Sequence, residues 1–464
     1  MAARFVNIDR DTPLLLPPNL REWVPADHLV HFILDAVDAL DLGAIRVNTR
    51  GTGSEQYPPH LLLALLIYSY ATGTFSSRRI EQTTHDSVPV RLLCADTHPD
   101  HDTLCTFRRQ NAELLTTAFV QVLQLAQELR LLKVGQLTVA VDGTKVQAHA
   151  SKHSAVSYRR AGEQIALLEQ EIEQLLAKAE QADATPLRDG LTIPEEIVRR
   201  RERQAALARA RAEIEARAQA RYAVELAEHK EKLAARAAKE AGGKRLGGKP
   251  PQAPSPEPAA KDQYNFTDAE SRIMKAGNGR HFEQCYNAQA AVEVDSRLVV
   301  GERVSVAPND KEELVPTLAA IPPVLGSVAV ALVDSGFFSE RAVRQVEGHA
   351  PTGTVVYAAV TKTGHHRSVG DLEQQPEPEP PAADAGVREV MDHRLRTTAG
   401  KTLYKLRQST VEPVFGIIKS VLGFRQFRLR GQVKVSLEWT LVCLAYNLKR
   451  LHRLGAGRQL AGRN

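Results

Sequence analysis

Apolar residues change their spacing twice along this chain, and each change marks a boundary. Up to about residue 130 they recur at helical intervals. The segment Ala26-Asp27-His28-Leu29-Val30-His31-Phe32-Ile33-Leu34 opens with an Asp cap on an amphipathic stretch. Pro58-Pro59 starts an apolar helix through Leu61, Leu62, Leu63, Leu65, Leu66 and Ile67. Short helical segments follow around Ser77–Thr84 and Val88–Leu93, then a long helix capped by Asp102. Several short helices with tight turns are compatible with a helix-turn-helix DNA reader and equally with a plain bundle.

The first β-like run is Leu137-Thr138-Val139-Ala140-Val141, ending at Asp142-Gly143-Thr144. The chain then turns helical and charged for about ninety residues, with Ile165, Leu168, Ile172 and Leu175 at three-four spacing. Leu207, Ile214, Leu226 and Leu233 repeat more loosely, and Thr185-Pro186 with Asp189-Gly190 marks a turn between the two stretches. This predicts an antiparallel, coiled-coil-like helical hairpin, whose Ala, Arg and Glu carry no chemistry by themselves. A Pro-rich linker, Lys249-Pro250-Pro251 to Pro258, closes it. Strands are then expected at Tyr286 to Val294 and Leu298 to Val306, antiparallel to each other. A helix from about Asp310 to Ile321 follows, and then the apolar run Val328-Ala329-Val330-Ala331-Leu332-Val333, of the kind buried on both faces. Another helix, a strand from Thr354 to Val360, an acidic Pro-rich loop over 370–386 and a late helix carrying Glu412 complete the series.

That order predicts an α/β, ribonuclease-H-like catalytic domain, interrupted after its first strand by a helical hairpin and preceded by an all-α N-terminal domain. The expected boundaries are 1–130 for a helical DNA-binding domain and 131–150 for the first part of the catalytic domain. The inserted hairpin and linker take 151–262, the rest of the catalytic domain 263–430, and a basic C-terminal helix and tail 431–464. A chain of 464 residues is long enough for two or three folding units.

Composition adds less than the distribution of charge. The apolar run near Leu61 to Ile67 is far too short for a membrane span, and no apolar leader opens the chain, so a cytoplasmic protein, nucleoid-associated when bound to DNA, is expected. Four scattered cysteines, Cys94, Cys105, Cys285 and Cys443, argue against a zinc or disulfide framework. The net charge of +5 is modest, but from Lys419 onward ten Lys or Arg face a single acid, Glu438. That is the footprint of a polyanion partner, or else of a solubilising terminus.

Three carboxylates stand out. Asp142 ends an apolar strand and precedes Gly143, which would let a phosphate backbone come close. Asp334 ends the most apolar run and precedes Ser335-Gly336. Ends of adjacent central strands are where α/β folds place ligands, although Asp also commonly starts turns. Glu412 lies on a helix with Tyr404, Arg407 and Lys419, and Lys419, seven residues on, returns to its face. Phosphodiester transfer needs charge neutralised on the attacking and leaving oxygens, which two Mg²⁺ roughly 3.5–4 Å apart supply. Mg²⁺ takes hard oxygen ligands, so carboxylates are the residues required.

Taken in order, these segments resemble the bacterial insertion-sequence transposases of the DDE class, in the branch with a Tyr-Arg-Glu-Lys signature. The resembling blocks are Pro99-Asp100-His101-Asp102-Thr103 with Phe107-Arg108-Arg109, Val141-Asp142-Gly143-Thr144-Lys145, and Asn265 to Arg272 with Tyr286-Asn287-Ala288-Gln289. Val333-Asp334-Ser335-Gly336-Phe337, Thr410 to Gly416 with Lys419, and Arg428-Leu429-Arg430-Gly431 follow. The chain departs from the signature in placing four residues, not three, between Arg407 and Glu412, and in having Phe337 where the family often has Tyr. The resemblance implies that Asp142, Asp334 and Glu412 ligate two Mg²⁺, with Mn²⁺ able to substitute. Water would free a 3′-OH at the transposon end, and that 3′-OH would attack target DNA. Tyr404, Arg407, Lys419, Arg428 and Arg430 would bind DNA by stacking and phosphate contact. The implied partners are terminal inverted repeats and target DNA, the implied assembly a homodimer on DNA, and no membrane.

A ribonuclease-H-like nuclease that only cuts would need the same carboxylates, whereas a domesticated DNA-binding relative or a coiled-coil assembly protein would not. His149 and His153 have a zinc-compatible spacing but no third ligand, so DNA contact or plain surface is expected. His365-His366-Arg367 reads as a phosphate contact or a solvated turn, and Lys145, two residues past Gly143, as an exposed strand lysine rather than a phosphate contact. Asp268 and Asp310 are acidic rivals for the metal site. The first lacks an apolar strand before it, and the second reads as a helix cap.

Overall fold

The computed structural model of the 464-residue chain describes residues 19–43, 45, 56–184, 193–242, 250–276, 279, 281–348, 353–360, 377–382 and 384–461. The expected turn at 185–190, the His365-His366-Arg367 loop and most of the acidic loop over 370–386 lie outside these residues. The chain divides into two compact units, one of residues 1–146 with 287–464 and one of residues 147–286.

In the first unit the helices are α1 (Leu29–Asp38), α2 (Pro59–Ala71), α3 (Ser77–Asp86), α4 (Val88–Leu93), α5 (His101–Gln110) and α6 (Ala112–Glu128). Two caps differ from expectation. His28, not Asp27, caps α1 by accepting the Val30 N–H through Nδ1 at 3.2 Å. Asp100, not Asp102, caps α5, taking the Thr103 N–H at 2.6 Å, and the expected long helix is broken at Asn111. Every residue of α2 from Leu61 to Ala71 is buried, so this helix needs cover on all sides.

That cover comes largely from the C-terminus. After α12 (below), α13 (Gln432–Arg453) buries Trp439, Leu441, Val442, Leu444, Leu448 and Leu451 and packs on α2, α6 and β6 (Val299–Ser305). The basic tail expected over 431–464 is therefore core at its spine. Lys449 donates to the Ala71 carbonyl at 2.7 Å and Arg450 to that of Ser296 at 2.9 Å, so one of its cations ties the helix to α2 and another to the turn between β5 and β6.

The sheet of this unit runs β6-β5-β1-β7-β8, where β1 is Gly135–Gln147, β5 His281–Glu293, β7 Gly326–Val333 and β8 Val355–Ala358. β5 and β6 pair antiparallel, while β1–β7 and β7–β8 pair parallel. Antiparallel strands leading into a parallel half, with helices α9 (Leu314–Ala319) and α10 (Glu340–Gly348) as crossovers, is the ribonuclease-H-like arrangement. Helices α11 (Val387–Arg396) and α12 (Thr398–Gly416) follow β8.

In the second unit, β2 (Ala155–Ser157) pairs antiparallel with β3 (Gln263–Asn265), and β4 (Arg272–Ala276) with residues 281–285 of β5. The expected hairpin is α7 (Tyr158–Ala184) against α8 (Ile193–Ala241). Val156, Ala161, Leu207 and Ala210 form its small core, with Ile165, Leu168 and Tyr264 packed on it. Farther along α8, Val224 and Leu233 are exposed, so the periodicity there marks no buried seam. No helix among the described residues is long and apolar enough to cross a membrane.

Candidate active site

The site is set by strand register. Val141 pairs with Val333 on parallel strands, which sets the next residues side by side: Asp334 just past the C-terminal end of β7, and Asp142 within β1, which runs on to Gln147 rather than ending at Asp142 as expected. Each carboxylate is turned by its own backbone: Asp142 Oδ1 accepts the Gly143 N–H at 2.8 Å, and Asp334 Oδ1 accepts that of Gly336 at 2.7 Å. Burial, followed by the charge of Asp334, pushes Asp142 up from the usual carboxylate range to about 7, against the pull of the Gly143 N–H and Arg407.

The third acid arrives on α12. Thr397 caps this helix by accepting the Gly400 N–H at 3.0 Å. Gly400 itself is required, because a Cβ there would fall on the Arg394 carbonyl. Arg407 sends one guanidinium nitrogen to Asp142 Oδ2 at 3.4 Å and the other to Glu412 Oε1 at 3.3 Å. Arg407 is 12% exposed and Glu412 53%, so the arginine is the inner member of the pair. The fourth intervening residue between them turns Glu412 about 140° from Arg407 on an ideal helix, and the long arginine arm spans the difference.

Two further residues of the expected signature fasten α12 to the strand ends. The Tyr404 hydroxyl donates to the Val333 carbonyl at 3.1 Å, next to Asp334. Lys419 lies in a π-helical turn, Ile417–Val421, just after α12, and donates to the Lys145 carbonyl at 2.8 Å. Arg428 and Arg430 stand on the separate loop before α13, with exposed side chains. Buried Glu438 holds that loop by accepting the N–H groups of Arg428 and Leu429 at 2.9 and 3.0 Å, and it also takes the Tyr70 hydroxyl at 3.1 Å.

The rival acids resolve differently. Asp268, in the unit of residues 147–286, is buried and receives the Tyr286 hydroxyl on both oxygens, at 2.9 and 3.0 Å. Asp310 is no helix cap: α9 begins only at Leu314. Its Oδ1 accepts from Asn287 at 2.6 Å and Gln289 at 2.7 Å, and lies 3.4 Å from Lys145 Nζ. Lys145, expected to be exposed, is only 19% so. The reason for Gly143 also changes. A Cβ there would fall on the Gln289 amide nitrogen and 2.6 Å from Asp310 Oδ1, so the space expected for a phosphate is filled by protein. Asn287 and Gln289 were missed as site residues. Two amides at i and i+2 within the apolar half of the strand, Cys285 to Val292, were the available signal.

The carboxyl oxygens of Asp142 and Asp334 suit a hard divalent ion, because such a cation would relieve the burial and repulsion that hold Asp142 up. Among the described residues no three His, Cys, Asp or Glu form a ready metal cluster, and Glu412 is linked to Asp142 through Arg407. His149 and His153 are exposed and belong to no such cluster.

Two families match the chain. One described as a Transposase domain covers residues 18–110, and the Transposase DDE domain covers residues 381–452. The second match contains Glu412, with Tyr404, Arg407 and Lys419, and stops short of both aspartates. Neither the curated proteins nor the solved structures provide a match. The DDE family consists of polynucleotidyl transferases that act on DNA and generally use divalent metal ions. A transposase domain matched at the N-terminal helices, a DDE domain matched around α12, and a ribonuclease-H-like sheet between them together support an insertion-sequence transposase of the DDE class.

Proposed function

We propose that this transposase cleaves the ends of an insertion sequence and joins the freed 3′-OH ends to target DNA, with Asp142, Asp334 and Glu412 as its metal-binding carboxylates. The observation that carries this reading is the register of β1 and β7, which brings two acids 192 positions apart in sequence to neighbouring positions on adjacent strands. Two Mg²⁺, or Mn²⁺ in their place, would neutralise the attacking and leaving oxygens of an in-line phosphoryl transfer when bound. The chain's own groups do the positioning. The Gly143 and Gly336 N–H groups fix one oxygen each of Asp142 and Asp334. Arg407 offers positive charge between Asp142 and Glu412, where an incoming phosphate would need it. Tyr404 and Lys419 hold α12 on the strand ends and stand beside the DNA end. Arg428 and Arg430 contact phosphates farther along.

In the first step a water oxygen bonds to phosphorus as the bond to the 3′-oxygen at the transposon end breaks. In the second, that 3′-hydroxyl attacks a target phosphorus and expels a target 3′-oxygen. Joining two ends in one event calls for two copies of the chain on the DNA.

The test is cleavage and joining of labelled transposon-end DNA with Mg²⁺, comparing wild type with Asp142→Ala, Asp334→Ala and Glu412→Ala. The reading stands if wild type cuts and joins while each variant binds the ends and is inert. It falls if any of the three stays active, or if wild type cuts but never joins, which would leave a nuclease.

A further inference from the structure

Asn287 and Gln289 lie two residues apart on β5, both 0% exposed, and aim their amide N–H groups at one carboxylate oxygen of Asp310. That oxygen also lies 3.4 Å from Lys145 Nζ, so its acceptor capacity is taken. The assembly therefore meets the catalytic strand at Lys145, and it meets it again two residues earlier. Gln289 Nε2 and Asp310 Oδ1 fill the space above Gly143, the residue that fixes Asp142. The arrangement is costly to the fold, because Asn287 Oδ1 and Gln289 Oε1 are buried with no hydrogen-bond partner. An unpaired buried oxygen typically destabilises by about 1–3 kcal/mol. A purely structural strand would be better served by apolar side chains at both positions. Buried polar atoms left unpaired call for an explanation, and a nearby reaction site is one.

We propose that Asp310, pinned by Asn287 and Gln289, is a positioning residue for the phosphoryl-transfer site: it clamps the Asp142–Gly143 corner and holds the Lys145 ammonium beside it, without itself ligating metal. The proposal rests on the reading of Asp142 as a metal ligand. It goes beyond that reading in assigning a role to residues outside the three carboxylates. Asn at position 310 can still accept from the two amides but loses the pairing with Lys145. Ala loses both. Met at position 289 keeps the volume, removes one unpaired oxygen and releases the clamp.

The full-length chain is tested as wild type, Asp310→Asn, Asp310→Ala, Gln289→Met and Asp142→Ala. Three readouts are taken: thermal midpoint, Mn²⁺ binding followed by electron paramagnetic resonance without DNA, and single-turnover cleavage of end DNA. Clamping predicts a graded effect, with Asp310→Asn weakening Mn²⁺ binding about 3- to 10-fold and Asp310→Ala weakening it more. Gln289→Met should slow cleavage about 10-fold or more with no fall in thermal midpoint. DNA-end affinity should stay within about twofold throughout. The proposal is overturned if Mn²⁺ binding and cleavage in these variants match wild type. It is equally overturned if losses simply follow the thermal midpoint, or if Asp310→Asn abolishes Mn²⁺ binding as completely as Asp142→Ala, which would make Asp310 a ligand. Wild-type Mn²⁺ binding in Asp142→Ala would instead remove the reading beneath it, a separate and visible result.

Discussion

The guanidinium of Arg407 stands between Asp142 and Glu412, 3.4 Å from one carboxylate and 3.3 Å from the other. The arginine thereby connects an acid on β1 to an acid on α12, 270 positions later in the chain. It also lowers Asp142 against the burial and the Asp334 charge that raise it. Removing the guanidinium should leave both acids without their counter-charge. Arg407→Gln is expected to slow end cleavage about 10- to 100-fold and to move the acid limb of the pH–rate profile upward. A profile that keeps its midpoint while the rate falls would separate DNA binding from this electrostatic role.

Asp142 gives a pH dependence with a definite sign. Its folded pKa of about 7 lies above the ordinary value of 3.8 for an aspartate. Between these values the native state keeps a proton that the unfolded chain has released. Stability therefore falls as pH rises through this window, and the loss is complete above about pH 7. For a group 20% exposed the penalty is on the order of 3 kcal/mol. Without metal, wild type should lose stability relative to Asp142→Asn between pH 4 and 7. Mg²⁺ at pH 8 should restore it in wild type only. Chemical denaturation across pH measures both effects.

Gly143→Ala should damage fold and site together. The new methyl would meet the Gln289 amide and Asp310 Oδ1, and overpacking of this kind costs about 1–3 kcal/mol. Cleavage is expected to fall further than this destabilisation explains, because the clamp on Asp142 is displaced. Urea midpoints set beside cleavage rates at a temperature well below unfolding decide the point.

Glu438→Ala should act on both stability and DNA affinity. It strands the Tyr70 hydroxyl and the N–H groups of Arg428 and Leu429 in or near the core. The expected cost is about 3–5 kcal/mol, with Glu438→Gln milder. The loop carrying Arg428 and Arg430 loses its anchor, so affinity for end DNA should drop as well. Unfolding curves and DNA titrations of the two variants would show the two effects.

Arg428→Gln with Arg430→Gln should weaken DNA binding for transposon ends and for unrelated duplex alike. If each arginine neutralises one phosphate, the slope of log affinity against log salt should fall by about 2. Titration at several salt concentrations reads the slope, and an unchanged slope would remove both residues from the DNA interface.

The sequence by itself determined the elements and their order. The short apolar runs at 137–141 and 328–333, and three-four spacing along the hairpin, depend on local burial, and local burial is written in adjacent residues. It also marked Asp142, Asp334 and Glu412, because an acid closing an apolar strand, or following Tyr404 and Arg407 on a helix, can be seen without knowing what lies opposite. Tertiary structure decided everything that depends on the opposite side. Gly143 reads as an open approach for phosphate until Gln289 and Asp310 are found filling it. Asp310 reads as a helix cap until β5 presents two amides to it. The C-terminal segment reads as a basic tail because its charges are conspicuous in sequence. The burial of Trp439 and its neighbours against α2 and α6 joins positions hundreds of residues apart. Register between β1 and β7 has the same character: it is fixed by long-range pairing and packing, and it alone turns two distant aspartates into neighbours.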